Sequence, residues 1–131
     1  MSAARPIPLS SGRWVELREP RLPLVRHYQV LAWPPGQGPA NAAEIDEMWR
    51  IAHQLARERG RALFGDEQCF TVLYNGARTR RMPWPHFHLI AARTPAEKRW
   101  TLLCLMLKRA LRPRRWRISV LLLGASEPAS R

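Results

Sequence analysis

The stretch Tyr74–Arg93, YNGARTRRMPWPHFHLIAAR, decides how the rest of the chain is read. His86 and His88 alternate around Phe87, so in a strand both imidazoles project from one face. Ile90 extends that face, and Phe87, Leu89 and Ala91 point the other way. Asn75-Gly76 is a turn signal that closes the segment before it, Cys69–Tyr74 (CFTVLY). That segment is rich in β-formers and reads as a buried strand. Arg78 to Met82 is polar, and Pro83 and Pro85 delay the next ladder, so the connection is longer than a two-residue hairpin. Cys69–Tyr74 and His86–Ala92 are therefore expected to be antiparallel neighbours. Two histidines close to Arg78, Arg80 and Arg81 point to a phosphate or nucleotide site. Imidazole serves as a nucleophile or metal ligand, and guanidinium holds an anion. An ordinary strand with two solvent-facing histidines accounts for the same residues without chemistry.

Upstream, Asn41–Gly60 is the strongest helix pattern. Ile45, Met48, Trp49, Ala52, Leu55 and Ala56 recur at three- and four-residue spacing. Asn41 and Glu44 form a capping-box pair, and Gly60 is placed to end the helix. His53 sits at the border of its charged face and reads as a solvent-facing residue. Leu24–Trp33 (LVRHYQVLAW) reads as a strand, stopped by the loop from Pro34 to Pro39. Arg13–Arg18 is a shorter strand or arm. Downstream, Thr94-Pro95-Ala96-Glu97 opens a second helix, expected to stop before Pro113. Trp100, Leu103, Leu107 and Leu111 form an apolar stripe on it, broadened by Leu102, Leu105 and Met106. Such a helix is buried on two sides or used at a subunit contact. Ile118–Leu123 reads as a last strand. Residues 1–12 read as a flexible or extended segment, 13–123 as one domain, and 124–131 as a polar tail. The order of elements predicts an α+β fold with an antiparallel sheet, one long helix packed across it and a second, C-terminal helix.

The 131 residues suit one domain, and the 46% apolar content supports a real core. Cys69 and Cys104 read as core thiols, because no Cys-x-x-Cys or Cys/His cluster signals a structural metal. No apolar run reaches the length that crosses a bilayer, and the first residues lack the apolar centre of a signal peptide. The expectation is a soluble, cytoplasmic protein with no membrane span. The formal charge of +12 comes almost wholly from arginine. It favours a polyanionic partner: nucleic acid, nucleotides or an acidic membrane surface.

Tyr74–Arg93 resembles the histidine triad (HIT) family of nucleotide hydrolases and transferases. In that family an asparagine-glycine turn ends one strand, and the next carries His-φ-His-φ-His-φ-φ, with φ apolar. Trp84-Pro85-His86-Phe87-His88-Leu89-Ile90 is similar to that motif. Tyr28–Pro34 resembles the family's earlier Gly-His-φ-φ-φ-φ-Pro strand, and the Asn41–Gly60 helix lies where the family has its long helix. The resemblance implies a HIT-like fold, no cofactor, no metal and a homodimer. It sets His86 on the middle histidine, the family's nucleophile, and His88 on the last. Trp84 stands in place of the first histidine and Gln29 in place of the histidine of the earlier strand. In a second register His88 takes the middle place and Ile90 the last. The implied reaction is attack by neutral His86 on the α-phosphorus of a nucleotide, with hydrolysis of the nucleotidyl-imidazole afterwards. Arg80 or Arg81 would neutralise phosphoryl charge, Asn75 would hydrogen-bond phosphate, and Trp84 would stack on a base.

Two other classes compete. A non-catalytic HIT-like module would bind nucleotide, RNA or a protein through Arg78–Arg81 and Arg112–Arg117, with Trp84 and Trp116 nearby. A single-strand nicking enzyme of the HUH type also pairs two histidines around one apolar residue. It needs a tyrosine nucleophile, commonly on a downstream helix, and the only tyrosines here are Tyr28 and Tyr74.

Overall fold

The computed structural model of the chain describes residues 4–22, 24–80 and 82–122, with residues 109–122 described by backbone alone. The elements are β1 (Arg5–Pro8), β2 (Trp14–Arg18), β3 (Tyr28–Ala32), α1 (Ala42–Phe64), β4 (Phe70–Tyr74), β5 (His86–Ala91) and α2 (Pro95–Leu122). The strands form one antiparallel sheet in the order β1-β2-β3-β5-β4. The arrangement is α+β, with α1 packed across the sheet, and β4 and β5 are neighbours as the turn chemistry predicts.

The core lies between α1 and one face of the sheet. Met48 and Ala52 of α1 meet Val15, Leu31, Phe87 and Leu89, all of them buried. Trp49 presents its edge to Phe87 at 5.0 Å, and Tyr74 stacks on Phe87 at 4.5 Å. These are the residues that alternation assigns to the side away from the histidines, so one periodicity sets both the core and the candidate site.

The start of α1 is locked by charge. Asn41 and Glu44 make the reciprocal capping box. The Glu44 carboxylate, 2% exposed, also accepts from Ser11 Oγ at 2.6 Å and from Arg13 Nε at 2.9 Å. Arg13 donates further to the carbonyls of Gln37 and Pro39 and lies over the Trp33 ring. The β1–β2 turn, the proline-rich loop and the helix are thus tied to one buried carboxylate.

The structure departs from the sequence reading at four places. The helix does not stop at Gly60. It continues to Phe64 and closes at Gly65, whose φ of 73° is the left-handed conformation that suits glycine. Gly60 is instead a point of close approach. A Cβ there would lie 2.9 Å from the Asp66 carbonyl oxygen and 3.1 Å from that of Cys69. Within residues 1–12, Arg5–Pro8 is a paired strand; two prolines are tolerated because β1 is at the sheet edge. β3 begins only at Tyr28, because Leu24 (φ 66°) and His27 (φ 58°) take left-handed conformations that no strand accommodates. Finally, α2 runs through Pro113 to Leu122, so Ile118–Leu122 are helical and do not form a last strand. A short apolar run does not by itself separate strand from buried helix.

Candidate functional site

β5 lies between β3 and β4, so its side chains are held by ladders on both sides. His88 pairs with Val30 on β3 and Leu73 on β4; Ile90 pairs with Tyr28 and Thr71; His86 pairs with Ala32. All of these lie on the face opposite α1. The imidazole centroids of His86 and His88 are 4.9 Å apart with their planes at 82°.

Each ring is oriented by a different partner. His86 Nδ1 is 3.1 Å from the Trp84 carbonyl oxygen. A carbonyl only accepts, so Nδ1 carries the proton and Nε2 of the neutral ring keeps its lone pair. His88 Nδ1 is 2.6 Å from the Tyr28 hydroxyl, and the two rings lie nearly parallel at 5.9 Å. His88 then opens onto a cavity of about 520 Å³ between this sheet face and α2. Tyr28, Leu73, Leu105, Asn75 and Lys108 also line it. The cavity combines an apolar wall with an amide, an imidazole, a phenol and an ammonium, which suits a ligand with an apolar body and an anionic group.

The structure brings together some of the residues picked from sequence and separates others. His86 and His88 are in ring contact, and Asn75 shares the cavity with His88. Gln29 does not join them. It pairs with Leu89, on the α1 face, is buried there and donates to Glu19 Oε1 at 2.8 Å. Glu19 also receives Arg59 at 3.5 Å. The resemblance set Gln29 in place of the histidine of the earlier strand, but its pairing with Leu89 puts the side chain on the opposite face of the sheet. Arg80 does not face the histidines either. Its guanidinium donates to the Met82 and Pro83 carbonyls and reaches the Tyr74 hydroxyl, on a ring that belongs to the α1 face. Trp84 is half-buried, packed against the core cluster. Arg81 lies outside the described residues.

His53 is exposed on α1, stacked on Trp49 with Nδ1 at the Trp49 carbonyl. Cys69 and Cys104 are free and half-buried, and burial, then the charge of Asp66, push the Cys69 thiol up, away from reactivity. Among the described residues no group of three or more His, Cys, Asp or Glu is placed to hold a metal ion, and no helix is long and apolar enough to cross a membrane.

Tyr28 and Lys108 are the site residues that sequence reasoning overlooked. Tyr28 alternates with Val30 and Ala32, a visible signal, but its meeting with His88 depends on β3 pairing with β5 across the whole of α1 and β4. Lys108 depends on the path of α2 over the sheet, which no local pattern encodes. No family model, no curated protein and no solved structure matches the chain.

Proposed function

We propose that the chain is a HIT-like nucleotide-binding protein whose histidine face acts on the α-phosphate of a nucleotide ester or amide. The observation that carries this reading is the hydrogen bond from His86 Nδ1–H to the Trp84 carbonyl, on a ring in contact with His88, which lines the α2 cavity. It leaves Nε2 as a lone pair on a ring fixed by a central strand, the state a nucleophilic imidazole needs. In the proposed reaction Nε2 forms a bond to the α-phosphorus and the bond to the leaving group breaks. Water then cleaves the P–N bond, returning neutral His86 and a nucleoside monophosphate. His88, in contact with His86 and oriented by Tyr28, serves a phosphoryl oxygen. Asn75 and Lys108 take the anion-holding role first assigned to arginines, because both line the cavity while Arg80 is engaged by its own loop.

A second reading, a module that binds nucleotide without turnover, is favoured by one observation. The place of the first triad histidine is held by Trp84, packed towards the core. The two readings part in one experiment. Purified protein is incubated with adenosine monophosphate, an adenosine phosphoramidate and a dinucleoside polyphosphate. Binding is followed by calorimetry, product by chromatography, and a nucleotidyl adduct on His86 by mass spectrometry. Product and a His86 adduct, both lost in His86→Ala, support the enzyme. Binding with neither product nor adduct supports the module. No binding at millimolar nucleotide refutes both.

A further inference from the structure

A second apolar surface lies along α2, and one of its residues, Met106, also lines the cavity onto which His88 opens. On α2, Trp100, Leu103, Met106 and Leu107 are each about half exposed or more. Trp100 Nε1 donates to the Leu24 carbonyl at 3.2 Å, and this contact brings in a fifth apolar side chain. Leu24 is 73% exposed and sits at φ 66°, a conformation rare for a branched aliphatic residue. The patch therefore spans two elements and presents an indole with leucine and methionine side chains to water, which an isolated monomer does not favour.

Its rim is basic. Arg21 and Arg26 flank Leu24 in sequence, and Arg99 precedes Trp100; all three are exposed. None of these three forms an ion pair among the described residues. Over residues 95–108 α2 carries Lys98, Arg99 and Lys108 against a single glutamate, Glu97. Two copies of such a helix laid together would juxtapose like charges, and a nucleic acid would leave leucine and methionine without a partner. An apolar strip bordered by cations matches an acidic headgroup layer with acyl chains beneath it. At about 1.5 Å per residue, α2 is long enough to lie along such a surface for about 40 Å.

We propose that the outer face of α2, with Leu24, docks the protein onto an anionic lipid bilayer. The helix lies on the bilayer and does not cross it, and this docking is independent of the chemistry assigned to the histidines.

The test uses the full chain and vesicles of phosphatidylcholine, alone or with about 30% phosphatidylglycerol, in co-sedimentation at about 0.1 M salt. The expected result is binding at least about tenfold tighter to the anionic vesicles, weakened as salt is raised. Arg26→Gln and Arg99→Gln should each weaken it by about fivefold. The double variant Leu103→Glu/Leu107→Glu should weaken it by more than about tenfold with an unchanged circular dichroism spectrum. Leu24→Asn is the variant that separates docking from folding. Asparagine suits the left-handed conformation, so this variant should be at least as stable as the parent yet bind anionic vesicles less well. Equal binding to neutral and anionic vesicles overturns the proposal. So does anionic binding that ignores both Leu24→Asn and the Leu103/Leu107 variant. A dimer in light scattering that these substitutions dissociate, with no vesicle binding, assigns the face to a second copy. Tight RNA binding with the same sensitivity, and no vesicle binding, assigns it to nucleic acid.

Discussion

Glu44→Gln removes one charge from the buried knot at the start of α1 while keeping a side chain of the same shape. The wild-type carboxyl is lowered from an ordinary 4.5 to about 2, first by the hydrogen bond from Arg13 and then by those from Asn41 and Ser11, against the opposing effect of burial. At about 1.4 kcal/mol per pKa unit, the folded state prefers the ionised form by about 3 kcal/mol. Arg13 keeps 32% of its side chain in water, so screening reduces the usable part to about 2 kcal/mol. The sign follows from the direction. A folded-state value below the unfolded one gives stability that is complete above about pH 4.5 and is lost as pH falls towards 2. Urea denaturation should therefore place Glu44→Gln about 2 kcal/mol below wild type at pH 7, with no change in m-value. The gap should hold to about pH 5 and close as the medium is acidified further. A gap under about 0.5 kcal/mol at pH 7, or one that widens on acidification, would refute the claim that a charged Glu44 holds the helix to the β1–β2 turn.

Gly60→Ala should destabilise by about 1–3 kcal/mol, because the new methyl meets backbone oxygens that cannot turn aside, and this outweighs the gain of about 1 kcal/mol in helix propensity; a stabilised variant in thermal melts would show that the α1–β4 connection has room to shift. Burial, followed by the charges of Arg59 and Arg26, holds His27 below its ordinary value, so the neutral ring favours folding and stability falls as pH drops below about 6.5. His27→Asn, which suits φ 58°, should lack that part of the pH profile; an unchanged slope between about pH 7 and 5 would contradict it. Arg80→Ala should raise hydrogen exchange in the 75–85 loop and cost about 1 kcal/mol while leaving nucleotide affinity within about threefold; a large, salt-sensitive loss of affinity would return Arg80 to the site. In the proposed reaction one imidazole is in line with the scissile bond and the other serves the phosphate, so His86→Ala should abolish turnover and His88→Ala should slow it; equal, partial effects would break that division.

The parts of the fold legible in the sequence are those written in local periodicity and turn chemistry. The alternation of His86–Ala91 separated core from candidate site, Asn75-Gly76 marked the end of β4, and Asn41 with Glu44 marked the first turn of α1. What stayed hidden depends on contacts between distant segments. Gly60 carries the same signal whether it ends a helix or admits a passing loop, and only the position of Asp66 and Cys69 distinguishes the two. Gln29 matched a motif by spacing, yet pairing with Leu89 turned it to the opposite face. Arg80 was read as an anion ligand because it lies near the histidines in sequence, whereas the nearest acceptors are carbonyls of its own loop. Tyr28 and Lys108 reach the cavity from residues 60 and 20 positions away from His88.

The sheet order carries a consequence for how the chain matures. β3 and β4 are not hydrogen-bonded to each other; β5, synthesised after both, slots between them. Until it arrives, each presents an unpaired edge, the kind of surface that recruits other chains. Closing that gap requires contacts spanning about 60 residues, a slow kind of pairing. The histidines ride on the strand that completes it. A ligand that grips the histidine face therefore also acts as a clasp on the last step of folding.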